Sequence, residues 1–175
     1  MSVIDLILLG MVMERPASAY EIQKDVEAHH LSRWAKVSTP SIYKKVIQLK
    51  GKGYLNSDVV REGNMPEKTV YRITDSGRAY FMELMERMAA QPVALLFDFN
   101  AVIANLSRVS PEQGRKLTGE IEASLRRSAA ELEQWREEYA EIPHRGRAII
   151  EQQQRVVEAL LDWTREFARY WEEEP

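Results

Sequence analysis

Ser38-Thr39-Pro40-Ser41-Ile42-Tyr43-Lys44-Lys45-Val46-Ile47-Gln48-Leu49-Lys50-Gly51-Lys52-Gly53 is the stretch whose reading decides the fold. Thr39 can cap a helix, and Pro40 suits its first position, where a missing N–H would be unpaired anyway. Ile42, Val46 and Leu49 follow at i, i+4 and i+7, the spacing of one buried stripe. Turning that stripe inward leaves Thr39, Ser41, Lys44, Lys45 and Gln48 facing outward. Gly51 and Gly53 end the helix. Between Ala28 and Ser57 there is no acidic residue, while Arg33, Lys36, Lys44, Lys45, Lys50 and Lys52 are basic.

Downstream the period changes. Tyr54 to Val60 predicts a strand, Arg61 to Glu67 a turn with Gly, Asn and Pro, and Lys68 to Ile73 a second strand of alternating, β-branched and aromatic residues. Thr74 or Asp75 can cap a fourth helix running to about Ala90. Upstream, Ser2 can cap a first helix, with Asp5 at its positive end and Ile4, Ile7, Leu8, Met11 and Val12 as its apolar stripe. Arg15-Pro16 breaks that helix. Ser18 and Glu21 have the spacing of a capping box, opening a second helix with Tyr20, Ile22 and Val26 that fades near His29-His30. Three helices, a hairpin and a helix in this order make a winged helix-turn-helix with a two-stranded β-hairpin wing.

In that motif the third helix is the one that fits the major groove of DNA, reading base edges near its N-terminus. Ser38, Thr39 and Ser41 are hydroxyl residues beside unpaired helix N–H groups, an arrangement that suits phosphate. Lys44 and Lys45 can neutralise phosphates. Gln48 can pair with an adenine edge through its carboxamide, and the Tyr43 hydroxyl can reach a phosphate. The wing places Arg61, Asn64 and Lys68 near its tip, with Arg72 further down. The bland alternative is an amphipathic helix with a lysine-rich solvent face in a winged-fold adaptor that binds proteins and not DNA.

Four segments together carry a family resemblance: Ser18-Ala19-Tyr20-Glu21-Ile22, Ser38-Thr39-Pro40-Ser41-Ile42-Tyr43, Leu49-Lys50-Gly51-Lys52-Gly53-Tyr54-Leu55, and Lys68 through Gly77. Residues 3–80 resemble the PadR-like transcriptional regulators. The resemblance implies a cytoplasmic homodimer, usually a repressor, on a near-palindromic operator. The family's recognition-helix Tyr falls on Tyr43 and its preceding Pro on Pro40. Ala19, Lys44 and Lys50 depart from the family pattern, where Gly, Pro and an acid are common.

Gln91-Pro92 marks a composition shift, so the expected domains are 1–90 for DNA binding and 91–175 for dimerisation. Residues 1–80 hold 12 basic and 9 acidic side chains, and residues 81–175 hold 12 and 18, so the basic surplus belongs to the first part. Val93 to Leu106 is expected to be helical. Ser110-Pro111-Glu112-Gln113 opens a long helix that Ile142-Pro143 stops. The last helix carries a coiled-coil-like seam of Ile149, Val156, Leu160, Trp163 and Phe167 beside a second stripe of Ile150, Val157, Leu161 and Ala168. These helices resemble the all-helical, antiparallel dimerisation domain of the AphA-like PadR subgroup. Leu160, Trp163, Phe167, Tyr170 and Trp171 form the candidate dimer face. Trp34, Trp135 and Trp163 could line a pocket for a small aromatic effector, or be plain core.

Other function classes find little support. There is no cysteine, which excludes disulfides and thiolate metal sites and fits a reducing compartment. His29, His30 and His144 lack metal-ligand spacing. Gly51-Lys52-Gly53 lacks the remainder of a phosphate-loop signature. The apolar start, Met1 to Met13, is too short to span a bilayer and contains Asp5. The expectation is a cytoplasmic protein that is not an enzyme and carries no cofactor, metal or membrane anchor.

Overall fold

A computed structural model describes residues 2–29, 31, 34–35, 38–61, 67–139 and 144–173. The chain divides into two compact units, Met1–Val93 and Ala94–Pro175.

The first unit contains α1 (Val3–Glu14), β1 (Ala17–Ser18), α2 (Ala19–Ala28), α3 (Thr39–Gly51), β2 (Leu55–Val60), β3 (Lys68–Ile73) and α4 (Asp75–Ala89). Local chemistry explains most of the boundaries. The Ser2 hydroxyl accepts the Asp5 N–H at the start of α1. At α2, Ser18 and Glu21 form the reciprocal capping box: Glu21 N–H donates to Ser18 Oγ, and Ser18 N–H donates to Glu21 Oε2. Helix α3 ends at Gly51, and Gly53 follows with φ of +75°, a conformation glycine adopts without a Cβ penalty. Thr74 caps α4 by accepting the Gly77 N–H, and its hydroxyl also contacts the Gly53 and Tyr54 carbonyl oxygens.

The expected hairpin is present, Leu55 opposite Ile73 and Val60 opposite Lys68. It belongs to a three-stranded antiparallel sheet of order β1-β3-β2, because Ala17 and Ser18 pair with Tyr71 and Val70. Leu8 and Leu9 of α1, Ile22 of α2, Ile42, Val46 and Leu49 of α3, Leu55 of β2 and Leu84 of α4 form one fully buried cluster. That cluster fixes which side of α3 faces out.

In the second unit, Val93 to Leu106 is not the continuous helix the sequence suggests. Residues 92–97 have no regular structure, and only α5 (Asn100–Ile103) and a 3₁₀ turn (Leu106–Arg108) follow. The run Val93-Ala94-Leu95-Leu96-Phe97 is apolar without a helical period, and Val93, Leu95 and Leu96 are exposed. Ser110 then caps α6 (Pro111–Glu138) through a capping box with Gln113, and α7 (His144–Glu173) follows. Gln154 of α7 bonds Glu133 of α6, and Arg165 pairs with Glu122, so the two helices run antiparallel. Ile121, Leu125 and Leu161 are buried between them. The Ile142-Pro143 helix stop lies outside the described residues.

Candidate nucleic-acid interface

With Ile42, Val46 and Leu49 buried, the outward side of α3 carries Pro40, Tyr43, Lys44, Ile47, Gln48 and Gly51, all exposed. Their spacing of three and four residues makes a single stripe down the helix. Lys44 and Gln48 lie where the sequence places them. Tyr43 is on the flank of the stripe, 40% exposed. Ile47 is 64% exposed and was missed by sequence reading, which credited only polar side chains to this face. The helical period that placed Lys44 and Gln48 also places Ile47 between them. An apolar side chain there suits a thymine methyl group.

Four sequence expectations change. Ser38, not Thr39, is the cap residue of α3, so Thr39 and Pro40 are the first and second helical residues. The Ser41 hydroxyl is not free for phosphate: it accepts the Ser38 N–H at 3.0 Å and donates to the Ser38 carbonyl at 2.5 Å. A serine at the third helical position folds back onto the cap, satisfying a donor that would otherwise lack a partner.

Lys45 is not an open cation either. Its Nζ lies 3.0 Å from Oδ1 of Asp5 on α1, with the Asp5 side chain only 6% exposed. Lys45 occupies the flank of α3 that turns toward α1, and a buried carboxylate there holds its charge. Lys68 at the start of β3 is paired with Glu21 of α2, Nζ to Oε1 at 3.1 Å. Glu21 accepts the Ser18 N–H and hydroxyl as well, and these bonds, ahead of Lys68, pull its carboxyl from 4.5 down to about 2. Glu21 therefore stays charged and ties the turn-proximal end of β3 to α2.

Lys44 makes no ion pair with a described residue, and Lys50, Lys52 and Arg61 are exposed. Arg72 pairs across the hairpin with Asp58 at 3.3 Å. Arg33, Lys36, His30 and Asn64 lie outside the described residues.

On α7, Leu161 is buried with Ile121 and Leu125 of α6, and Val157 packs against them, so the second apolar stripe is an intramolecular one. Leu160 is half-buried against that core. Trp163 stacks on Phe99 at 6.0 Å and on Phe167 at 5.4 Å, leaving Trp163 37% and Tyr170 69% exposed. Phe99 was not anticipated in this stack. Trp171, expected at the dimer face, packs within its own chain: its indole lies where a Cβ on Gly114 would come within 2.7 Å.

Each unit holds its own part of the tryptophan set expected to line a pocket. Trp34 lines a cavity of about 320 Å³ in the first unit with Ile7, Met11 and Leu31. In the second unit, the pairing register of α6 and α7 puts Trp135 roughly 16 Å along the axis from the level of Trp163.

Three antiparallel strands, a three-helix cluster and an exposed basic third helix define a winged helix-turn-helix module. Residues 8–83 match the model of the Transcriptional regulator PadR-like family, so this module is PadR-like. The fold of the whole chain is similar to solved PadR-like structures. Bacillus subtilis PadR in complex with operator DNA is 17% identical, with a TM-score of 0.77 over 97% of this chain and 99% of that one. The same PadR in complex with p-coumaric acid is 15% identical, TM-score 0.78, over 98% and 96%. The Vibrio cholerae virulence activator AphA is 21% identical, TM-score 0.70, over 98% and 99%. No curated protein gives a match. Among the described residues no helix is long and apolar enough to cross a membrane.

Proposed function

We propose that the chain is a cytoplasmic transcriptional regulator that binds duplex DNA as a homodimer, with residues 1–90 as the DNA-binding part and 91–175 as the dimerisation part. The observation that carries this reading is the exposed α3 stripe, Tyr43, Lys44, Ile47 and Gln48, displayed by a PadR-like module. Lys44 contacts phosphate, Gln48 and Ile47 read base edges, Tyr43 and Ser38 meet the backbone at the groove edge, and Arg61 reaches a phosphate from the wing. Lys45, Lys68 and Ser41 are left out of the contact set because their polar groups are engaged within the fold.

The exposed edge of α7, with Trp163, Phe167 and Tyr170, supplies the dimer face, to which Leu160 contributes its half-buried side. A two-fold pair of modules reads two half-sites one helical turn or more apart, which is a near-palindromic operator. Repression, relieved by a small aromatic effector, is the mode the family resemblance favours, and the Bacillus subtilis PadR complexes with operator DNA and p-coumaric acid support it.

The test is a salt titration of binding to the chain's own upstream DNA. Between 50 and 200 mM salt, a complex with about 6–10 phosphate contacts loses roughly 10³–10⁵ in affinity. Absence of DNA binding at the low-salt end, with the chain folded, would refute the reading and leave a protein-interaction adaptor in its place.

A further inference from the structure

Asp5 is an acidic residue in the first turn of an apolar helix, α1, and is 4% exposed. Its Oδ1 accepts the Ser2 hydroxyl at 3.0 Å and the Lys45 ammonium at 3.0 Å. Lys45 is one helical turn from both Ser41 and Gln48 on the same flank of α3. Its side chain is still 29% exposed. A lysine stem is long enough to carry an unpaired ammonium from such a position toward solvent. The Asp5 carboxylate holds that charge turned back to α1.

We propose that Asp5 is a positioning residue for DNA recognition: it withholds Lys45 from the phosphates, so that the groove face of α3 acts through Lys44, Ile47 and Gln48. A phosphate contact adds affinity for every sequence equally, whereas base-edge contacts discriminate. Withholding one lysine per subunit lowers affinity for every duplex by the same factor, steepens no salt slope, and leaves base reading intact. Asp5 thus sets the sequence-independent, salt-dependent part of the affinity without touching DNA. The proposal rests on α3 being the DNA-binding helix.

The experiment measures non-specific duplex binding against salt for the wild type, Asp5→Asn, and the double variant D5N/K45Q. Asn keeps the size of Asp and can still accept the Ser2 hydroxyl. Asp5→Asn is expected to bind non-specific duplex more tightly at low salt. The slope of log affinity against log salt should steepen by about 0.9 per subunit, about a threefold larger loss per subunit over a fourfold salt increase. The double variant leaves no unpaired buried charge, and its slope should return to that of the wild type.

Two results overturn the proposal: a folded Asp5→Asn protein with the wild-type slope, or a double variant whose slope is shallower than wild type by about 0.9 per subunit. The second would mean that Lys45 already sits on a phosphate. If Asp5→Asn does not fold by circular dichroism, the double variant alone decides. Lys44→Ala separates this failure from failure of the underlying reading: if it also leaves the slope unchanged, α3 does not contact DNA and the functional assignment falls with the proposal.

Discussion

Replacing Glu21 with Gln isolates one charge at the joint between α2 and the wing. Gln serves a capping box as well as Glu, so the bonds with Ser18 can persist in a weaker, uncharged form. What is lost is the negative charge that Ser18 and Lys68 stabilise. A drop from 4.5 to about 2 corresponds to about 3 kcal/mol if nothing screens it. The Glu21 side chain is 33% exposed, so water reduces this to about 1–2 kcal/mol. Because the folded-state pKa is lowered, the contribution is complete above pH 4.5 and is lost as pH falls toward 2. Urea unfolding of wild type and Glu21→Gln between pH 7 and pH 3 is the assay. The gap between the two proteins should be about 1–2 kcal/mol at pH 7 and shrink steadily below 4.5. A gap that stays constant over this range would refute the charge-based account of the joint.

Four further substitutions have outcomes that follow from the geometry. Gly114→Ala puts a methyl group against the Trp171 indole, 2.7 Å from its Nε1, and should cost about 1–3 kcal/mol in thermal unfolding; Gly119→Ala, with open space around it, should be neutral or up to about 1 kcal/mol stabilising. Tyr170→Asp changes a 69% exposed residue and should leave helicity intact while shifting sedimentation from dimer to monomer. Gln48→Ala should relax preference at one base position, by about 1–3 kcal/mol, with an unchanged salt slope, checked by binding to a set of single-base operator variants.

How much of this was legible in the sequence depended on how local the cause is. Ser18 with Glu21, Ser110 with Gln113, and Thr74 ahead of α4 announce helix starts because cap and partner are three residues apart. The period of Ile42, Val46 and Leu49 placed the face of α3. It could not show that Lys45, pointing outward by count, meets an acid 40 positions earlier. The Lys68–Glu21 pair spans 47 positions and was equally hidden. Strand β1 is two residues long and exists only through its partner β3, so no periodicity could mark it. The helix expected over Val93 to Leu106 is broken because residues 93–97 are apolar without a period, and apolarity alone does not specify a helix. In the same way, nothing local announced that Trp171 packs against Gly114, 57 positions away.

The most direct test of α3 as the reading helix uses the absence of cysteine from the chain. Ile47→Cys on α3 and Met82→Cys on α4 each give a single exposed thiol that can carry a photo-crosslinker. Duplex DNA should be captured from position 47 and not from position 82, with capture from position 47 declining as salt rises. Equal capture from both positions, or none from position 47 in a folded protein that binds DNA, would contradict the placement of α3 in the groove.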